Sequence, residues 1–203
     1  MRLKTLAVTA LAAAVMVGCT AQQPAEKAAA PAAKAAKKAP PKTLSGASGA
    51  MLASTCEGCH GTDGVSQGPA TPSIAGMSQD YLSEAMEEFR DGDTKSTIMG
   101  RVAKGYSDTE IVAMSAYYAA QKPYGAGQKA NAADIAKGEK LHNKYCEKCH
   151  ADGGSDATDD SGILAGQWTP YLHYTMQDFM NGDRAVGRKM KKKVNLLLEK
   201  EGR

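Results

Sequence analysis

The sequence predicts an all-α protein built from two tandem copies of one helical unit, and three observations carry that expectation. Residues recur at a constant offset of 90: Cys56-Glu57-Gly58-Cys59-His60 returns as Cys146-Glu147-Lys148-Cys149-His150, and Ile74-Ala75-Gly76 with Tyr81-Leu82 as Leu164-Ala165-Gly166 with Tyr171-Leu172. Met86, Phe89 and Gly92-Asp93 likewise return as Met176, Phe179 and Gly182-Asp183, so one spacing serves every pair, as in a duplicated unit. Helix-start signals are present, and no stretch alternates polar and apolar residues in the manner of a strand.

Taken from the N-terminus, residues 1–18 read as an export signal. Arg2 and Lys4 precede an apolar run from Leu6 to Val17 that is too short for a stable membrane span. It ends in Met16-Val17-Gly18-Cys19, which resembles a bacterial lipobox; cleavage before Cys19 would leave that cysteine lipidated. Ordinary cleavage within the following Ala-rich stretch is the alternative, and either route leads to the periplasm. Residues 19–43 are Ala, Pro and Lys with almost nothing to bury, and are expected to form a tether reaching roughly 25–30 Å as a coil. The only membrane attachment expected is the lipid anchor.

The folding body is then 44–122, a linker at 123–133, and 134–203. In the first unit, helices are expected near 46–57, from Gln79 to Arg90, and over Ile111–Gln121 behind the capping box Ser107-Asp108-Thr109-Glu110. In the second, they are expected over 134–147 and from Thr169-Pro170, an N-cap followed by a helix-starting proline, to about Met180. The end is short: only Val194 to Lys200, about two turns, follows the basic run Lys189–Lys193, so the second unit is expected to lack its final helix.

Charge excludes one class of function. Residues 44–183 carry a net −9, while residues 1–43 and the last twenty residues carry +6 each. A nucleic-acid binder wants a basic folded body, and this body is acidic. Eleven aromatic side chains are few for two cores of about 80 residues each, a size at which an unaided apolar core is marginal.

The two Cys-x-x-Cys-His motifs explain that shortage. Two thiols separated by two residues can each close a thioether on adjacent vinyl groups of a haem, and the following His lies beneath the iron. Covalent haem at Cys56, Cys59, His60 and at Cys146, Cys149, His150 would supply a large apolar plate to each unit. A zinc ribbon would bring both Cys pairs to one metal, and a redox disulfide of the thioredoxin type wants a βαβ context; neither suits this pattern. A methionine as sixth ligand makes an electron-transfer haem. Met99 lies 39 residues after His60 and Met190 lies 40 after His150, so these two are the candidates. Met86 and Met176 read as core filler, and His142 and His173 as surface positions. Gly68-Pro69 resembles the loop whose proline carbonyl orients the axial His in monohaem class I cytochromes c. The second loop, Asp152 to Gly162, has no proline, so another carbonyl must serve there.

Ser-Thr-Ile-Met-Gly-Arg-Val-Ala-Lys-Gly-Tyr-Ser (96–107), Lys-Leu-His-Asn-Lys-Tyr-Cys-Glu-Lys-Cys-His (140–150) and Ile-Leu-Ala-Gly-Gln-Trp-Thr-Pro-Tyr-Leu (163–172) resemble the dihaem cytochrome subunit of flavocytochrome c sulfide dehydrogenase, over about residues 46–200. The resemblance implies two tandem class I cytochrome c domains, axial Met99 and Met190, and no catalytic residue on this chain. It implies an FAD-binding sulfide dehydrogenase subunit as electron donor and a further protein as downstream acceptor. A tethered dihaem shuttle to a terminal oxidase is the alternative reading, and a haem sensor with an open iron site is the third.

Overall fold

The structure is a computed structural model that describes residues 45–157 and 161–202. The export signal, Cys19 and the tether lie outside the described residues. Helix α1 (Gly49–Ala53) starts where the Ser48 hydroxyl accepts a hydrogen bond from the Met51 N–H at 3.2 Å, satisfying one of the donors a helix start leaves open. A 3₁₀ turn, Ser54–Cys56, leads into α2 (Glu57–His60), so the whole first Cys motif is wound on helical backbone. Helix α3 (Gln79–Asp91) is capped by Ser78 at the Tyr81 N–H, 3.1 Å, and stops at Gly92, whose left-handed backbone (φ 85°) suits glycine. Two further helices, α4 (Met99–Ala103) and α5 (Asp108–Ala119), complete the first unit.

Helix α5 opens on the expected capping box: the Glu110 carboxylate accepts from the Ser107 N–H at 3.1 Å and from its hydroxyl at 2.8 Å. It packs on α1, and α3 packs on α4 and α5. The core gathers Leu52, Met77, Leu82, Met114 and Tyr118, with Met86 against it, as expected of a filler residue. The Tyr118 hydroxyl donates to the Ala53 carbonyl at 2.7 Å, which ties α5 to α1 at its buried end.

The second unit holds α6 (Ala132–Tyr145), α7 (Ala151–Gly154), α8 (Thr169–Asn181) and α9 (Arg188–Glu201). Asn131 caps α6 at the Ala133 N–H, 2.8 Å. Trp168 occupies the N-cap of α8, so Thr169 is its first helical residue rather than its cap. The backbone repeats the offset seen in the sequence. Ile74 and Ala75 donate to the Gly64 carbonyl at 2.8 and 3.2 Å, and Leu164 and Ala165 donate to Gly154 at 2.8 and 3.0 Å. No strand occurs among the described residues.

The last helix departs from expectation. It begins at Arg188, not Val194, and runs 14 residues through the basic stretch. Lys and Arg are good helix formers, and no breaker falls between Gly187 and Gly202. In the first unit Gly105 separates α4 from α5, and Asn195 stands at its repeat position. One unbroken helix thus spans the repeat positions of α4 and of the opening turn of α5. It meets α6 through Glu201, which accepts from the Tyr145 hydroxyl at 2.6 Å and the Lys144 ammonium at 2.8 Å. Its packing is thin: neither α8 nor α9 contributes a buried residue, whereas α5 buries five, Ile111 and Tyr118 among them.

Among the described residues no helix is long and apolar enough to cross a membrane.

Candidate functional site

The first site grows from the helical turn that carries Cys56, Cys59 and His60. Cys56 is half-buried, which pushes its thiol up, while Thr55 and Tyr118 draw it back down; Cys59 is exposed. The Thr55 hydroxyl pairs with the Tyr106 phenol at 2.6 Å, which joins the motif to the segment between α4 and α5. Met99, half-buried, opens α4.

His60 is buried, and its Nδ1 lies 2.9 Å from the Pro72 carbonyl. Burial lowers its pKa and the carbonyl opposes that shift. The acceptor is therefore Pro72 and not Pro69. The loop doubles back because the Ser66 hydroxyl donates to the Thr71 carbonyl at 2.7 Å and the Ser66 N–H donates to the Ser73 hydroxyl at 3.1 Å. That fold presents residue 72 to the ring and leaves 69 at the turn.

In the second site Cys146 is half-buried and Cys149 exposed. Burial raises the Cys146 thiol, against a lowering influence from the charge of Lys193 on α9. Met190 is half-buried in the first turn of that helix. His150 Nδ1 is buried without a well-formed hydrogen bond among the described residues. Burial lowers its pKa, and the Gly162 carbonyl raises it. Gly162 is the repeat partner of Pro72, so the same position faces the ring in both units, aligned for a bond only in the first.

His173 is exposed as expected, whereas His142 is partly buried. Its Nε2 lies 3.0 Å from the Glu147 carboxylate and 3.0 Å from the His150 carbonyl, beside the second motif. Sequence reasoning also missed Arg184. Burial works against its charge, and Tyr171 and Tyr81, both hydrogen-bonded to it, hold its pKa up, with its guanidinium 5.3 Å from the Phe179 ring. Tyr81 and Tyr171 are repeat partners, which is the one signal that could have found this cluster.

The chemistry of this donor set fits a haem. All four motif cysteines are free, and with His60 Nδ1 committed to Pro72 the remaining nitrogen, Nε2, is available to an iron. Among the described residues no three His, Cys, Asp or Glu side chains gather as a cage for a bare metal ion. The packing fits too, since the apolar side chains Leu172, Phe179, Val194, Leu196, Leu197 and Leu198 of helices α8 and α9 are only half-buried.

A family model for cytochrome c matches residues 46–121. Cytochrome c-554(548) of Halomonas halodenitrificans is 38% identical over 63 residues, 30% of this chain and 76% of that protein. The thiosulfate dehydrogenase electron acceptor of Thiomonas intermedia is 29% identical over 123 residues, 56% of this chain and 57% of that protein. The cytochrome subunit of sulfide dehydrogenase of Chlorobaculum tepidum is 47% identical over 47 residues, 23% of this chain and 43% of that protein. That alignment is much shorter than the stretch of about residues 46–200 over which the sequence resembles that family. The solved structure of reduced recombinant cytochrome c4 from Pseudomonas stutzeri superposes with a TM-score of 0.65 at 26% identity, covering 73% of this chain and 87% of that one. The chain spans little more than half the length of the thiosulfate dehydrogenase relative and less than half of the sulfide dehydrogenase one.

Proposed function

This chain belongs to the cytochrome c family, with an all-α fold of two tandem class I cytochrome c domains, and we propose that it is a dihaem electron acceptor for a separate dehydrogenase that oxidises a reduced sulfur compound. Family membership implies covalently bound haem c and electron carriage. In our reading Cys56 and Cys59 hold one haem and Cys146 and Cys149 the other. His60 and His150, through Nε2, and Met99 and Met190, through their sulfur atoms, would ligate the iron.

The observation that carries the reading is the duplicated Cys-x-x-Cys-His motif, with a backbone carbonyl at the same repeat position, Pro72 or Gly162, facing each histidine. The haem when bound supplies a reversible one-electron couple. The protein's part is to fix the histidine ring, keep its second nitrogen free for iron and exclude water from the buried side. Acid–base or nucleophilic catalysis plays no part in this role, so bond chemistry falls to the partner.

Likeness to two proteins named for sulfur-compound dehydrogenases supports the choice of donor. An FAD-binding sulfide dehydrogenase subunit is the donor we favour: sulfide gives up two electrons, a flavin can release them singly, and two haems can hold one each. The structural likeness to cytochrome c4 supports the second reading, a shuttle toward a terminal oxidase. We place the protein in the periplasm, lipid-anchored through Cys19. Affinity purification of the tagged full-length chain from its native host tests the choice. A stoichiometric flavoprotein with bound FAD is expected, and recovery of the chain alone, oxidised directly by a terminal oxidase, would support the shuttle.

A further inference from the structure

Loop 66–73, which carries the Pro72 carbonyl, is gripped by two consecutive residues of the other unit. Gln167 is buried, and its amide makes a two-point pairing with the backbone of Ser73: the Ser73 N–H donates to Oε1 and Nε2 donates to the Ser73 carbonyl, each at 2.9 Å. The Trp168 indole N–H donates to the Ser66 carbonyl at 3.1 Å, at the other end of the loop. Gly68, between them, lies so close beneath the Trp168 ring that a Cβ there would come within 2.3 Å of it. Gln167 is itself held, because the Gln128 side chain of the linker donates to its carbonyl at 2.9 Å and accepts from the Thr169 N–H at 2.9 Å.

The repeat-related contact is built differently. The partner of Ser73 is Ile163 and the partner of Gln167 is Met77, so the second loop meets the first unit through apolar side chains of one buried cluster. Gly162, next to Ile163, has the Tyr81 ring against it, with the phenol oxygen 2.9 Å from where a Cβ would sit. The loop held by a bidentate amide presents a carbonyl bonded to its histidine. The loop held by apolar contact turns the Gly162 carbonyl toward its histidine without a well-formed hydrogen bond among the described residues.

Resting on the reading of His60 as an iron ligand, we infer that Gln167 of the second unit is a positioning residue for His60 of the first: by fixing the Ser73 backbone it holds the preceding Pro72 carbonyl against Nδ1, and so tunes one haem across the interface between units. A strong Nδ1–H···O=C bond makes the imidazole a better electron donor and favours the oxidised iron. Loosening that bond raises the potential of the first haem and leaves the second unchanged.

The test is Gln167→Met, which matches the length of the side chain and places there the residue type that its repeat partner already is. Trp168→Phe, which keeps the ring over Gly68 and removes only the indole N–H, is the companion variant. The chain has four histidines, so the reduced, ¹⁵N-histidine-labelled holoprotein gives four imidazole signals, with His60 identified by proximity to Pro72. In Gln167→Met the His60 Nδ1–H is expected to exchange with solvent at least tenfold faster. The midpoint of the first haem rises, and the His150 signals and second midpoint stay in place. Trp168→Phe gives a smaller change in the same direction. An unchanged His60 signal and midpoint, or equal changes at both haems, would overturn the inference. A wild-type His60 lacking the ring-current shift of an iron-bound imidazole would overturn the functional reading instead.

Discussion

At the scale of single residues, the motif is legible and its support is not. Cys56, Cys59 and His60 can be named from spacing alone because chemistry fixes that spacing. The carbonyl that turns His60 depends on how Ser66 ties the loop to Thr71 and Ser73, and a Gly-Pro pair at 68–69 points three residues short of it. His142 escapes notice for a similar reason, since Glu147 and the His150 carbonyl reach it only once α6 has ended at Tyr145. Gly68 yields a residue-scale prediction. Its φ is +67° and the Trp168 ring fills the space a side chain would need. Gly68→Ala should therefore cost about 1–3 kcal/mol in denaturant unfolding. Gly58→Ala, on helical backbone with nothing within 4 Å, should leave stability unchanged or raise it by up to about 1 kcal/mol. Equal effects would show that Trp168 does not press on the loop.

At the scale of elements, the longer helices of both units could be read in the sequence, one of them from its capping box, whereas α4, α7 and the extent of the last could not. The capping box at Ser107 marks a fresh helix start in the first unit, whereas Asn195 at the repeat position of Gly105 leaves no positive signal, because a missing breaker leaves none. Helix α9 is longer than expected and still poorly buried, so the second unit should be the weaker. In hydrogen exchange of the holoprotein, amides of α9 are expected to exchange at least tenfold faster than those of α5, and denaturant should displace Met190 before Met99. Slower exchange in α9 would show that Glu201 and its partners anchor it better than its burial implies. The capping box gives a pH dependence with a definite sign. Bonds from Ser45 and from the Ser107 N–H and hydroxyl hold the Glu110 carboxyl down at about 2, against an ordinary 4.5. The folded-state pKa is depressed, so the stability this group lends is fully present above about pH 4.5 and is lost as pH falls toward 2. Glu110→Gln should lower the melting temperature at pH 7, with the gap to wild type narrowing by pH 3. A gap independent of pH would mean that the carboxylate charge plays no part in the cap.

At the scale of the whole molecule, the repeat made the two-unit architecture readable, whereas the contact between units was not. Gln167 and Ser73 are ordinary polar residues in a sequence, and only the fold brings residues 94 positions apart into a two-point amide pairing. Charge is distributed on this scale as well: net −9 over residues 44–183 against +6 over the last twenty. An acidic body of that kind favours a basic patch on its electron donor. Association with the donor should slow as salt rises and screening shortens to about 10 Å at 0.1 M; a rate insensitive to salt would indicate an apolar interface. The central claim, two covalent haems on one chain, is tested most directly by intact mass after acid-acetone extraction, on chain matured in a host that attaches haem c. The mass of two haems is expected on the wild type, and of one on the double variant Cys146→Ser, Cys149→Ser. A wild-type chain that carries fewer than two, or that loses either to the solvent, would contradict it.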